Sequence, residues 1–483
     1  MSTMRTVIGL ALALVFSFSL AHVAEWKNAK DLPILVKTMK ELHRGPPKQT
    51  VLKRANVEEK WIAQKLDHFD ESNTQTYQMR YLVNDEFQEE GSPIFIYLGG
   101  EWAIEDSMVS AGHWYDMAQE HKGVLIYTEH RYYGESIPTT TMSTEHLQYL
   151  HVKQALADVA HFIETYKSEN SQLTNSKVLL AGGSYSATMV VWFKRLYPDL
   201  VEGGWASSAP LLAKVDFTEY KEVVGRAFLQ LGGQQCYNRI NNGIAELESM
   251  FENNRAAEAR AMLRLCSSFD DKNDLDLWTL FGSISNIFSG VAQYQRYGEI
   301  EYYCDFLLSF DDDATAIANF AYWAWGYPSC IDARYSGTVE YYLWSIENFS
   351  ASRPWYYQTC NEYGWYQSSG SNNQPFGNKF PALLYTTLCA DVFGTQFTNE
   401  NIGLSVSQTN IDFGGMAPEV ENIYMTHGGL DPWNPMGHGV TEGATVITNA
   451  SHCADFGSID AGDTAEMRAS KERLAELVRE WLA

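Results

Sequence analysis

Positive charge is in short supply in this 483-residue chain: 35 lysines and arginines stand against 60 aspartates and glutamates, a formal net charge of −25. A phosphate backbone is gripped through lysine and arginine, so this balance excludes nucleic acid as an expected partner. Cysteine is also sparse. The seven residues at 236, 266, 304, 330, 360, 389 and 453 include no C-x-x-C pair, which removes the zinc clusters that need closely spaced thiolates. No metal and no cofactor is expected. Beyond residue 20 no apolar run approaches the roughly 18 residues of a membrane span, and no repeat or low-complexity segment stands out.

What is present points to a large globular protein. Hydrophobic residues make up 45% and aromatics 13%, ample for a core. The length exceeds that at which single cores stop growing, so one domain with an insertion, or two domains, is expected. Arg5 precedes an apolar run over 7–20 that ends in Ser19, Leu20 and Ala21. A basic start, a short apolar stretch and small residues at the cut read as a signal peptide over 1–21. The mature protein is then expected to be secreted or lysosomal, with no membrane attachment after signal removal. Sequons at Asn348 (NFS) and Asn449 (NAS) fit that route. In an oxidising compartment six cysteines pair and one is left over; the expected odd one is Cys453. The acidic balance suits an acidic compartment, where protonation relieves self-repulsion, and equally an ordinary soluble secreted protein.

Periodicity divides the chain. Residues 93–98 (PIFIYL), 124–128 (VLIYT) and 178–181 are strands apolar enough to be buried on both faces, and 203–206 reads as another. Helical spacing runs over 151–166 and over 185–196, which stops at Pro198. This alternation predicts an α/β fold with a parallel sheet. Residues 213–404 differ, with helical patches such as 244–265, aromatic segments at 321–327 and 354–366, and six of the seven cysteines. They read as a helical, disulfide-stapled insertion between a first part of the α/β domain, 22–212, and a second part, 405–483. Strands return at 422–426 and 444–448, and an amphipathic helix over 464–482 closes the chain.

The chemistry concentrates at 177–189, KVLLAGGSYSATM. A buried strand runs into a glycine turn carrying Ser184, and a helix starts at Tyr185, the layout of a nucleophile elbow. In G-x-S-x-G the last glycine would fall at Ser186, so the small Ser186-Ala187 pair must pack closely instead. A neutral serine needs a base and an orienting acid. In sheets of this kind they follow in the order acid, then histidine, at strand C-terminal ends. Strand 422–426 leads to Asp431 and strand 444–448 to His452. The expected oxyanion donors are the N–H of Tyr185 and one from the loop Gly99, Gly100, Glu101. Plainer readings stand beside these. The G-G-S turn also serves ordinary strand-to-helix connections, and Asp431-Pro is also a turn initiator. His427 is a rival base expected to bond within its own turn, while His113, His130 and His151 are read as structural or exposed. Cys453 adjoins His452, but neighbours on an extended chain point apart.

At these residues the chain resembles the family of secreted and lysosomal serine peptidases that includes prolyl carboxypeptidase, dipeptidyl peptidase II and thymus-specific serine protease. The resemblance spans QKLDHF (64–69), LGGEW (98–102), EHRYYGES (129–136), GGSY (182–185), WYYQTCNE (355–362) and GLDPW (429–433). It implies an α/β-hydrolase domain with a helical cap, a Ser184/Asp431/His452 triad and exopeptidase action near proline or small residues. It implies the disulfides Cys360–Cys389, Cys236–Cys304 and Cys266–Cys330. Trp433 resembles an aromatic lining the proline pocket, and Thr188 stands where the carboxypeptidase carries a methionine. Past His452 the run CADFG lacks the arginine of the H-H-L-D-L-R pattern and resembles the thymus-specific branch. The implied partners are peptide substrates, with a homodimer allowed. An esterase or lipase on the same fold, or a peptide-binding relative without catalysis, are the alternatives.

Overall fold

The apolar runs read from the sequence pair edge to edge in one eight-stranded sheet. A computed structural model describes residues 32–51 and 56–483; the expected signal peptide, 1–21, lies outside them. The strands are β1 (Glu58–Lys65), β2 (Thr76–Asn84), β3 (Ile94–Leu98), β4 (Val124–Thr128), β5 (Val178–Gly183), β6 (Gly203–Ser207), β9 (Ile423–Gly428) and β10 (Thr445–Ile447), in the order β1-β2-β4-β3-β5-β6-β9-β10. β1, β2 and β4 pair antiparallel and the rest are parallel. A small parallel pair, β7 (Lys214–Asp216) and β8 (Gly364–Tyr366), stands apart.

Alternation along the central strands feeds two cores. Ile94, Ile96, Val124, Ile126, Val178 and Leu180 face one core, where α3 (Val152–Glu169) and α4 (Tyr185–Leu196) cover the sheet. Phe95, Tyr97, Leu125, Tyr127, Leu179 and Ala181 face the other. There α2 (His113–Glu120) and the last helix, Ala465–Leu482, contribute Trp114, Leu474, Val478 and Trp481. Full burial of each such aliphatic side chain contributes about 1.5–3 kcal/mol. One helix precedes the sheet, α1 (Ile34–Leu42).

Between β6 and β9 the chain is mostly helical: α5 (Glu219–Glu252), α6 (Ala256–Met262), α7 (Asp274–Gln293), α8 (Glu299–Leu308), α9 (Asp313–Ala324), α10 (Tyr335–Asn348), α11 (Ser352–Gln358), α12 (Ala382–Phe393) and α13 (Asn399–Phe413). The α/β-hydrolase fold thus carries an inserted helical region. α5 is two helices joined at Gly233, whose φ of 79° breaks the helical path. The insertion is stapled by Cys236–Cys304, Cys266–Cys330 and Cys360–Cys389, while Cys453 is a buried free thiol. Closing loops of 68 and 64 residues removes enough chain entropy from the unfolded state to be worth about 4 kcal/mol each in the loop-entropy picture. No described helix is long and apolar enough to cross a membrane.

Candidate active site

Ser184 sits between the end of β5 and the first residue of α4, at φ 58° and ψ −130°. A non-glycine residue in that region costs about 1–3 kcal/mol and persists only when its surroundings over-determine it. Here they do. Its N–H donates to the Ser207 carbonyl at 2.9 Å, and its own carbonyl accepts from the N–H groups of Ala187 and Thr188. Ser186 pins the turn from inside: its Oγ accepts from the Gly183 N–H at 2.9 Å and donates to the Gly183 carbonyl at 3.0 Å. A glycine at 186 could not do this. The glycines before Ser184 are a steric necessity, since a Cβ on Gly182 would lie 2.4 Å from the Ser186 carbonyl oxygen. The N-terminal end of α4, which starts at Tyr185, presents the positive end of the helix dipole to developing negative charge.

β9 delivers Asp431 and β10 delivers His452, each from the turn past its strand. Both side chains are buried, and Nδ1 of His452 lies 2.9 Å from each Asp431 oxygen. The Trp433 N–H donates to Asp431 Oδ1 at 2.9 Å, which fixes the carboxylate plane. Burial works against charge on the imidazole, but the Asp431 carboxylate outweighs it and holds the His452 pKa well above the ordinary histidine value. Burial likewise opposes charge on Asp431, and the imidazole beside it keeps the carboxyl below its usual range. His452 Nε2 is buried without a hydrogen-bond partner, so it is not bonded to the Ser184 hydroxyl in this structure. The two residues nevertheless share a support. The Ser207 carbonyl that receives the Ser184 N–H also receives Sγ of Cys453 at 3.8 Å. Asp455, which sequence reading passed over, accepts from Ser207 Oγ and Thr426 Oγ1 and so ties the His452 loop to the ends of β6 and β9.

Residues 64–474 match the family model described as serine carboxypeptidase S28. The chain belongs to that family. It is a serine-type peptidase, and similar proteins cover most of its length. Thymus-specific serine protease of Mus musculus is 29% identical, over 87% of this chain and 87% of the mouse protein. The Homo sapiens protein of that name is 28% identical over 87% and 86%. Lysosomal Pro-X carboxypeptidase of Bos taurus is 26% identical over 88% of each chain.

The other residues singled out in this S28 peptidase fall into two groups. Gly100 and Glu101 follow β3, whose parallel pairing with β5 sets Tyr97 opposite Ala181 and brings their loop beside the elbow. Trp433 is buried against Phe217, Tyr220 and Trp365, lies 6.3 Å from the His452 ring, and lines a cavity with Trp355 and Trp365. Thr188 is drawn away: its side chain is fully buried and its hydroxyl donates to the Pro210 carbonyl at 2.9 Å. Both sequon asparagines, Asn348 and Asn449, are exposed.

The histidines sort by their partners. His427 is fully buried and neither ring nitrogen has a partner, so the bonding expected within its turn does not form. The ring is packed so closely that a Cβ on Gly437 would lie 2.3 Å from it, and burial lowers its pKa to about 4. His130 is structural, bridging the Arg131 carbonyl and the Tyr185 hydroxyl. His113 bonds the Lys471 carbonyl, and His151 lies 3.5 Å from Glu362. The EHRYYGES run is scaffold as well. Glu129 receives Arg80 and Ser136, and Arg131 forms a buried pair with Asp158.

Proposed function

We propose that this chain is a serine exopeptidase that cleaves peptides at or near proline or small residues, with Ser184 as nucleophile, His452 as general base and Asp431 as its orienting acid. The observation that carries the reading is the buried His452–Asp431 pair, held on a loop that shares the Ser207 carbonyl with Ser184. Asp431 holds the imidazole by Nδ1, leaving Nε2 to take the serine proton as Oγ attacks the scissile carbonyl. The N–H of Tyr185, with one from Gly100 or Glu101, would receive the oxyanion. The imidazolium, favoured by Asp431, then gives its proton to the leaving amine. Water attacks the acyl-enzyme by the same roles in reverse, restoring the hydroxyl of Ser184.

The insertion read as 213–404, whose last helix α13 carries on to Phe413, acts in this reading as a cap that admits chain ends and short peptides. Trp433, in an aromatic surround, offers a flat wall to a proline ring. Thr188 would shape that pocket only from behind, through Pro210. The name of the Bos taurus relative, lysosomal Pro-X carboxypeptidase, supports both the proline preference and a secretory or lysosomal site of action, and the three disulfides support the latter. Asn348 and Asn449 are the expected glycan acceptors. The test is labelling by a fluorophosphonate, beside mass spectrometry of a mixed peptide library treated with the wild type and with Ser184→Ala. The expected result is labelling and terminal trimming, both abolished by Ser184→Ala; internal cleavage alone, or no labelling, refutes the reading.

A further inference from the structure

The route into the site is occupied by the chain itself. After α1 the backbone runs between the sheet and the insertion, and Leu42, His43, Arg44 and Pro46 each approach a residue beside Ser184 or His452. The Leu42 carbonyl accepts two hydrogen bonds from the insertion, from Gln293 Nε2 at 2.8 Å and from the Tyr294 hydroxyl at 2.9 Å. The His43 ring lies tilted 5.0 Å from Trp355, which is itself 5.5 Å from Tyr185. On its other side the His43 ring lies 6.5 Å from Trp433. The Arg44 guanidinium sits 4.2 Å over the Tyr294 ring, whose centre is 6.1 Å from that of His452. Pro46 closes the path: a Cβ on Gly183, next to Ser184, would be 3.0 Å from its Cγ. Cavities of about 310 and 260 Å³ flank this segment and are lined in part by it.

The two donors are built for a main-chain carbonyl. Gln293 Oε1 already receives the Tyr220 hydroxyl and the Trp433 Nε1–H, which orients the amide so that Nε2 can only donate outward. The Gln293 carbonyl in turn receives the His452 N–H at 3.0 Å. The amide is therefore rigidly keyed to the general base. The Leu42 carbonyl thus receives both the buried Gln293 Nε2 and the part-buried Tyr294 hydroxyl, and a peptide carbonyl placed at the same point would be received by the same two donors.

We propose that Gln293 and Tyr294 form the clamp by which the cleft positions a substrate's main-chain carbonyl, and that in the full chain the segment from Leu42 to Pro46 holds this clamp as an intramolecular competitor. The inference rests on Ser184 being the nucleophile. It makes Gln293 and Tyr294 positioning residues, and makes departure of the segment the step that opens the enzyme.

The test uses the full chain with a specific protease site inserted between Thr50 and Val51, where the backbone lies at the surface. Fluorophosphonate labelling of Ser184 is timed before cutting, and again after cutting and dilution. A synthetic peptide of residues 32–50 is then added back. The expected result is labelling about tenfold faster or more once the segment leaves, with the peptide restoring the slow rate competitively. Tyr294→Phe is expected to weaken binding of that peptide and to raise KM for a short substrate by a similar factor, about three- to tenfold, with kcat little changed. Equal labelling rates before and after release, or peptide binding indifferent to Tyr294→Phe, overturn the proposal. Absence of labelling in both states strikes the assignment of Ser184 instead, and the calorimetric affinity of the peptide, with and without Tyr294→Phe, still decides the clamp.

Discussion

Replacing Asp431 by asparagine changes one atom, and the structure determines which way the new amide must face. Asp431 Oδ1 accepts from the Trp433 N–H at 2.9 Å and also lies 2.9 Å from His452 Nδ1, whereas Oδ2 has His452 Nδ1 alone at 2.9 Å. An asparagine keeps its oxygen on the Trp433 N–H, because the alternative sets two donors against each other in a buried site. Its NH2 group then points at His452 Nδ1 and converts that nitrogen to an acceptor. The ring proton moves to Nε2, the position from which the serine proton should be taken, and the imidazole is in the wrong tautomer to act. A tautomer error of this kind in a serine triad costs about 10⁴-fold in kcat, or roughly 5 kcal/mol. The charge effect runs the same way, since Asp431 contributes most, ahead of Cys453, to holding the His452 pKa up against burial. Fluorophosphonate labelling and turnover of a short peptide should both collapse, while the melting temperature moves little because shape and burial are retained. Labelling within about tenfold of the wild-type rate would refute the assignment of His452 and Asp431 as an acting pair.

Two further substitutions test the scaffold. Gly182→Ala should destabilise by about 1–3 kcal/mol and abolish labelling, because its Cβ would meet the Ser186 carbonyl at 2.4 Å and backbone cannot yield there; an unchanged melting temperature would contradict this. Asp158→Asn should cost about 3–5 kcal/mol in denaturant titration, since it leaves the fully buried Arg131 without its counter-charge and weakens bonds to His68 and Tyr77. Burial opposes ionisation of Asp158, yet Arg131 prevails and holds its pKa below the ordinary value. Its stabilising contribution is therefore complete above the unfolded carboxyl pKa and is lost as pH falls through the folded one. Acid titration should then erode the wild type more than the variant.

Local rules made much of this protein legible before any coordinates. Continuous apolar runs located β3, β4 and β5 because both faces of those strands are buried, and helical spacing located α3 and α4. The glycine pair before Ser184 marked the elbow because no side chain fits there, and strand order then pointed to Asp431 and His452. β1 escaped notice because its face is largely exposed and polar (EEKWIAQK), so no apolar alternation advertises it. Thr188 looked like a pocket residue from its place after the elbow, but the turn of α4 aims it at Pro210. His427 looked like a bonded turn histidine, and packing against Gly437 leaves it without partners.

Everything that depends on distant segments meeting was decided by the tertiary structure alone. Gln293 and Tyr294 come from the insertion, more than a hundred residues beyond Ser184, and no local pattern marks them as cleft residues. The segment after α1 is an unremarkable polar stretch in sequence, yet folding threads it between Trp355 and Trp433. Covalent geometry and periodicity constrain neighbours along the chain, so strands, helices and the strained serine can be read from the letters. Which side chains surround that serine is fixed by burying apolar surface across the whole molecule, a condition no short stretch of chain carries by itself.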